Sequence, residues 1–178
     1  QILIVIAILS MFGLLSIAFR SYFLPILILS ALPFGFGGAV VGHIIFGKGL
    51  SMISYWGIGA ACGVVVNDNL VLVDSINRLR GSGKHILECI VESGVTRFRP
   101  IIITSITTFV GLMPMMLEPS VQANFLKPAV ISLSFGVVLS SSVTLILVPC
   151  LYLIGDDVKE SIAQFKASIK SQISNKST

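Results

Sequence analysis

Residues 56–80 read WGIGAACGVVVNDNLVLVDSINRLR. The run is long and apolar enough for a membrane-spanning helix, yet Asn67, Asp68 and Asn69 stand in its middle. Arg78 marks one end of the span. Asp68 lies 10 residues before it, about 15 Å deeper at ~1.5 Å per residue. Half of a ~30 Å hydrocarbon core is also about 15 Å, so Asp68 belongs near the bilayer midplane. A carboxylate at that depth costs roughly 2.5–3.5 kcal/mol or more, and it must face a protein interior rather than lipid.

The whole chain has the same character. Of its 178 residues 54% are hydrophobic and 11% charged, with a mean hydropathy of +0.98. A soluble domain carries roughly 25% charged residues, so this is an integral membrane protein with little outside the bilayer. The net charge of +4 is no nucleic-acid signal, because the basic residues are scattered over short loops and a tail. Cys62, Cys89 and Cys150 have neither metal-type spacing nor the pattern of a disulfide framework. The first residues, Gln1 onward, run straight into an apolar helix without a methionine or a signal peptide's basic region, which reads as the C-terminal piece of a longer protein.

Outward from the central helix, five apolar stretches reach membrane length: about 2–19, 23–46, 52–77, 100–117 and 127–154. These five transmembrane helices, with an amphipathic helix between the third and fourth, predict an all-α polytopic membrane bundle over residues 1–155. Pro33 with Gly35, Gly37 and Gly38 predicts a kink in the second span. Gly59 and Gly63 in the third form a small-xxx-small pair that suits close helix packing. Ile86, Leu87, Ile90 and Val91 recur at helical spacing among charged residues, predicting an amphipathic surface helix over about 84–93, closed by Gly94. Pro100 and Pro128 look like first-turn prolines of the fourth and fifth spans, with 118–126 as the loop between them. Residues 156–178 read as a basic amphipathic tail lying against anionic membrane lipid.

Basic residues orient this layout. Arg20, Arg78, Arg80, Lys84, Arg97, Arg99, Lys159, Lys166, Lys170 and Lys176 fall on one side, and only Lys48 and Lys127 on the other. By the positive-inside rule the first side, with the C-terminus, is cytoplasmic.

The polar residues inside the spans carry the functional signal. Asp68 is a candidate proton carrier: low dielectric favours the neutral form of a buried carboxyl, which ionises when water or a partner reaches it. Asn67 and Asn69 can donate hydrogen bonds to the ionised form. Arg97 and Thr104 are seven residues apart, on one side of the fourth span, and Thr107 and Thr108 match Asp68 in depth. Together they outline a water-lined path from an arginine at the membrane boundary to a carboxylate at mid-depth. The competing readings are a carboxylate that only fixes helix packing, and threonines that only bond their own helix carbonyls. The serines from Ser132 to Ser142 and Thr144 suit helix packing. His43 and His85 lack metal-ligand partners, and Asp74 lies near enough to the boundary to reach water or an arginine. No phosphate loop, zinc spacing or nucleophile elbow suggests an enzyme, and no cofactor or metal is implied.

Residues 63–116, GVVVNDNLVLVDSINRLRGSGKHILECIVESGVTRFRPIIITSITTFVGLMPMM, resemble the C-terminal transmembrane half of resistance–nodulation–division (RND) efflux pumps, in the acriflavine resistance protein B or hydrophobe/amphiphile branch. The likeness rests on the GxxVxDxxxxVD-like helix, the TRFRPIIITS helix start, a late GLMP and LPFGFGGAVVG in the second span. It implies the last five of twelve helices of an inner-membrane antiporter that uses inward proton flow to export hydrophobic or amphiphilic compounds. It also implies an N-terminal half of the same protein, a homotrimer, a periplasmic adaptor and an outer-membrane channel. By the same resemblance Asp68 falls in the proton-relay region, Arg97 matches the arginine at the helix start, and Thr104 matches the relay threonine. The best-known members carry a lysine where this chain has Asn67. Here Asn67–Asp68 looks instead like the aspartate pair of the N-terminal half with its first member amidated. A carboxylate from the missing half would then face Asp68 and share a proton with it. A related transporter of lipids, a protein-export accessory, and a non-transporting scaffold or sterol-sensing-like module are the alternatives.

Overall fold

The computed structural model describes residues 2–83 and 85–175, with side chains described over 5–83 and 85–158. All regular structure among the described residues is helical: α1 (Ile2–Phe19), α2 (Phe23–Leu29), α3 (Leu32–Ile45), α4 (Met52–Arg80), α5 (Ile86–Leu117) and α6 (Val121–Asn175). Among the described residues, four segments are long and apolar enough to cross a membrane: Phe23–Ile45, Met52–Arg80, Ile86–Leu117 and Val121–Val158. In the first helix the described stretch Val5–Phe19 is also apolar. This is the all-α bundle expected from the apolar runs.

The helix ends differ from the sequence reading in instructive ways. The second span is two helices, broken at Ser30 and Ala31. Pro33 has no N–H to offer the Leu29 carbonyl, and its ring crowds the turn before it. The local repair is a tight turn, with Phe34 N–H donating to the Ala31 carbonyl at 3.1 Å and Ser30 Oγ to the Leu27 carbonyl at 2.6 Å. The expected surface helix over about 84–93 is not a separate element. It forms the first turns of α5, which runs on through Gly94 and Pro100 as one helix of 32 residues; Lys84 lies outside the described residues. Likewise α6 begins at Val121, not at Lys127, so Pro128 is internal. Neighbouring helices in a membrane bundle make internal prolines tolerable. The tail continues α6 without a break to Asn175, and its side chains beyond Val158 lie outside the described residues.

α6 packs against α3, α4 and α5 and so holds the bundle together. Two apolar clusters fill it. On the arginine-rich side, Leu24, Leu27, Ile28, Leu72, Ile76, Val148 and Tyr152 come together, with Leu15 of α1 at the edge. On the opposite side, Met116, Val130 and Ile131 pack with Phe46 and Phe135. Gly57, Gly38 and Gly136 bring the backbones together. A Cβ on Gly57 would overlap the Ala129 backbone, and one on Gly38 the Phe135 carbonyl. Gly59 and Gly63, expected at such a contact, are exposed and have nothing within 4 Å of a Cβ. Four-residue spacing makes a small face, but the helix's rotation decides which face meets a neighbour of this chain.

On the side opposite the arginines, His43 pins α3 to the start of α4. Its Nδ1 lies 2.9 Å from the Ala39 carbonyl and so carries the hydrogen. Its Nε2 accepts from Ser54 Oγ at 2.8 Å. Ser54 in turn completes a capping box with Ser51 at the helix start.

Candidate functional site: a cavity between α4 and α5

Asp68 stands on α4 in the half-buried zone facing α5. With Val71 it forms one wall of a cavity of about 160 Å³, and Arg97, Pro100, Ile101 and Thr104 of α5 form the other. Liquid water takes about 30 Å³ per molecule, so several waters fit. The polar groups there are under-used. Asp68 Oδ2 and Arg97 Nε are both buried without a hydrogen-bond partner. No ion pair within 4.0 Å joins these two side chains. A buried polar atom left unpaired costs about 1–3 kcal/mol, more if charged. A water held between the two side chains would satisfy both at once.

The spacing of α5 explains the far wall. Arg97, Ile101 and Thr104 fall on one stripe, at steps of four and three. Pro100 lies beside them and lacks the N–H that would bond the Thr96 carbonyl. Thr104 Oγ1 donates to the Pro100 carbonyl at 2.9 Å, so its lone pairs stay free to accept a proton donor. Ser105, which also bonds its own helix at Ile101, is buried away from this stripe.

The structure divides the other candidates. Asn67 is exposed, four residues beyond Gly63 on a face that no helix covers among the described residues. Asn69 is fully buried on the opposite flank, where Nδ2 donates to the Ile28 carbonyl at 3.2 Å. It therefore ties α4 to the break between α2 and α3 and does not reach the cavity. Thr107 is exposed and bonds the Ile103 and Thr104 carbonyls of its own helix. Thr108 is half-buried, and neither it nor Thr107 lines the cavity. Asp68, Arg97 and Thr104 are thus the members of the expected set that meet.

A second polar cluster lies at the arginine-rich end and was not singled out in the sequence. Tyr152 donates its hydroxyl to Asn77 Oδ1 at 2.5 Å. Arg80 pairs with Asp156 at 2.6 Å, and the Asp156 side chain is 8% exposed. The signal was present: Asn77 and Arg80 are three apart on one span, Tyr152 and Asp156 four apart on another. Nothing in the sequence said that the two spans are neighbours. Asp74 is taken up by Arg78 of its own helix at 2.8 Å.

The chain's likeness to known proteins agrees with this architecture. A model described as the AcrB/AcrD/AcrF family matches residues 1–156. The multidrug resistance protein MdtC of Proteus mirabilis (strain HI4320) is 32% identical over 160 residues, covering 89% of this chain and 16% of MdtC. Two crystal forms of a heavy metal efflux pump superpose on it. Form II has a TM-score of 0.76 at 27% identity, over 86% of this chain and 15% of the pump. Form I has a TM-score of 0.71 at 28% identity, over 85% of this chain and again 15% of the pump. The chain therefore spans about a sixth of the length of the relatives it matches.

Proposed function

The chain belongs to the AcrB/AcrD/AcrF family of RND efflux transporters, and we propose that it carries part of the proton pathway of such a pump, with Asp68 taking up and releasing the proton. The supporting observation is the cavity in which Asp68 and Arg97 face each other with buried, unpartnered polar atoms. Neutral Asp68 can sit there without Arg97. Once ionised it attracts the guanidinium across the cavity, because opposite charges interact far more strongly in a protein interior than in water. Protonation thus alters how firmly α4 and α5 hold together, and proton flow can drive movement. Thr104, with its lone pairs free, passes the proton along the arginine-bearing side.

In this reading the arginine-rich face is cytoplasmic, and the chain spans the bacterial inner membrane. An N-terminal half of the same protein covers the open face of α4 at Asn67, Gly63 and Gly59. The whole pump works as a homotrimer with a periplasmic adaptor and an outer-membrane channel, exchanging protons for hydrophobic or amphiphilic compounds. It moves these compounds without making or breaking their bonds. MdtC is named for multidrug resistance, which supports that substrate class. The structural neighbours are heavy metal pumps and make metal ions the second candidate cargo.

Asp68→Asn in the full-length protein tests the proposal. It should abolish export of an amphiphilic dye while the protein reaches the membrane in normal amount. Unchanged export of both dye and metal ions would remove Asp68 from the pathway. Loss of metal-ion export alone would keep the pathway and replace the cargo.

A further inference from the structure

The α1–α2 corner, remote from the Asp68 cavity, holds a groove of about 500 Å³. That is within the usual ligand-site range of roughly 300–1,000 Å³. Phe12, Gly13 and Ile17 of α1 supply its apolar floor, and Arg20, Ser21 and Tyr22 its polar rim. Ser16 between them has a buried hydroxyl with no partner. Gly13 leaves the floor open, since nothing lies within 4 Å of a Cβ there.

The rim is built to present a cation. Arg20 has φ of 50°, the left-handed region that residues other than glycine rarely adopt. Such backbone persists where its surroundings hold it and is enriched at ligand sites. The turn is fixed by Phe23 N–H donating to Ser21 Oγ at 3.3 Å. No carboxylate among the described residues lies within 4.0 Å of Arg20. Tyr22, 78% exposed, stands beside it at the level where tyrosine and tryptophan gather at the membrane boundary.

We propose that this groove is a binding site for an anionic phospholipid. The phosphodiester sits on the Arg20 guanidinium, whose planar fork matches two phosphate oxygens. Ser16 and Tyr22 offer further hydroxyl donors, and one acyl chain lies along Phe12, Gly13 and Ile17. Charge complementarity selects the lipid: basic pockets between helices at the membrane boundary take anionic headgroups. The occupant is a lipid rather than free phosphate because the apolar floor adjoins the cation.

The test uses the full-length protein in nanodiscs of equal phosphatidylglycerol and phosphatidylcholine, released for native mass spectrometry. Wild type should carry phosphatidylglycerol preferentially. Arg20→Gln should lower the ratio of bound phosphatidylglycerol to phosphatidylcholine roughly tenfold, as loss of a charge-assisted bidentate contact implies. Gly13→Leu fills the floor while favouring the helix, so it should fold and lose both lipids. A ratio unchanged in Arg20→Gln overturns the proposal, as does retention of both lipids in Gly13→Leu. Wild type that emerges without lipid also overturns it and makes another helix of the full-length protein the occupant.

Discussion

Asn69 makes the clearest energetic test of how α4 is seated. Its Nδ2 is the donor to the Ile28 carbonyl, which lies at a helix break where Pro33 has already removed one backbone donor. Asn69→Leu keeps the side chain's bulk and deletes the donor. The Ile28 carbonyl then stays unpaired in an apolar core, at a cost of about 1–3 kcal/mol. Interhelical hydrogen bonds in membranes average only about 0.6 kcal/mol and reach about 1.7. Asn69 Oδ1 is itself buried and unpaired, and the leucine removes that burden. The expected loss is therefore about 1 kcal/mol. Asn69→Ala also leaves a cavity and should lose more. Equilibrium unfolding of the full-length protein in mixed micelles measures both, and amide exchange at Leu32 and Phe34 should quicken in each variant. A leucine variant as stable as wild type, with unchanged exchange there, would refute Asn69 as the clamp on the break.

Gly57→Ala forces a methyl into the Ala129 backbone and should destabilise by about 1–3 kcal/mol in the same unfolding assay. Gly94→Ala has open space and should stabilise by about 0.5–1 kcal/mol. Tyr152→Phe strands Asn77 Oδ1, and a loss of about 1 kcal/mol is expected; no change would mean that water replaces the hydroxyl without cost. Thr104→Val should slow proton-coupled export while leaving unfolding almost unmoved, because its hydroxyl bonds a carbonyl of its own helix. A Thr104→Ser variant should restore the rate.

The architecture was largely legible because apolar runs of membrane length can do little but form helices. The boundaries were less so. Pro100 and Pro128 carry the signature of first-turn prolines, yet a helix packed in a bundle can run through a proline at the loss of one hydrogen bond. In the candidate site, the spacing of Arg97 and Thr104 and the depth of Asp68 pointed to residues that do share a cavity. Depth alone misplaced Thr107 and Thr108, since it says nothing of which way a helix is turned. The same ignorance of rotation hid the difference between Asn67, on an open face, and Asn69, in the core. It also selected Gly59 and Gly63 where Gly57 makes the contact. The Asn77, Arg80, Tyr152 and Asp156 cluster required knowing that α4 and α6 are neighbours, which no local pattern encodes.

The most direct measurement follows protons rather than cargo. In proteoliposomes containing the full-length protein, an imposed pH gradient and an internal pH-sensitive dye report substrate-dependent proton movement. Asp68→Asn should abolish that movement while the purified variant unfolds as wild type does. Proton flux at the wild-type rate in Asp68→Asn would contradict the assignment of Asp68 as the proton-carrying group.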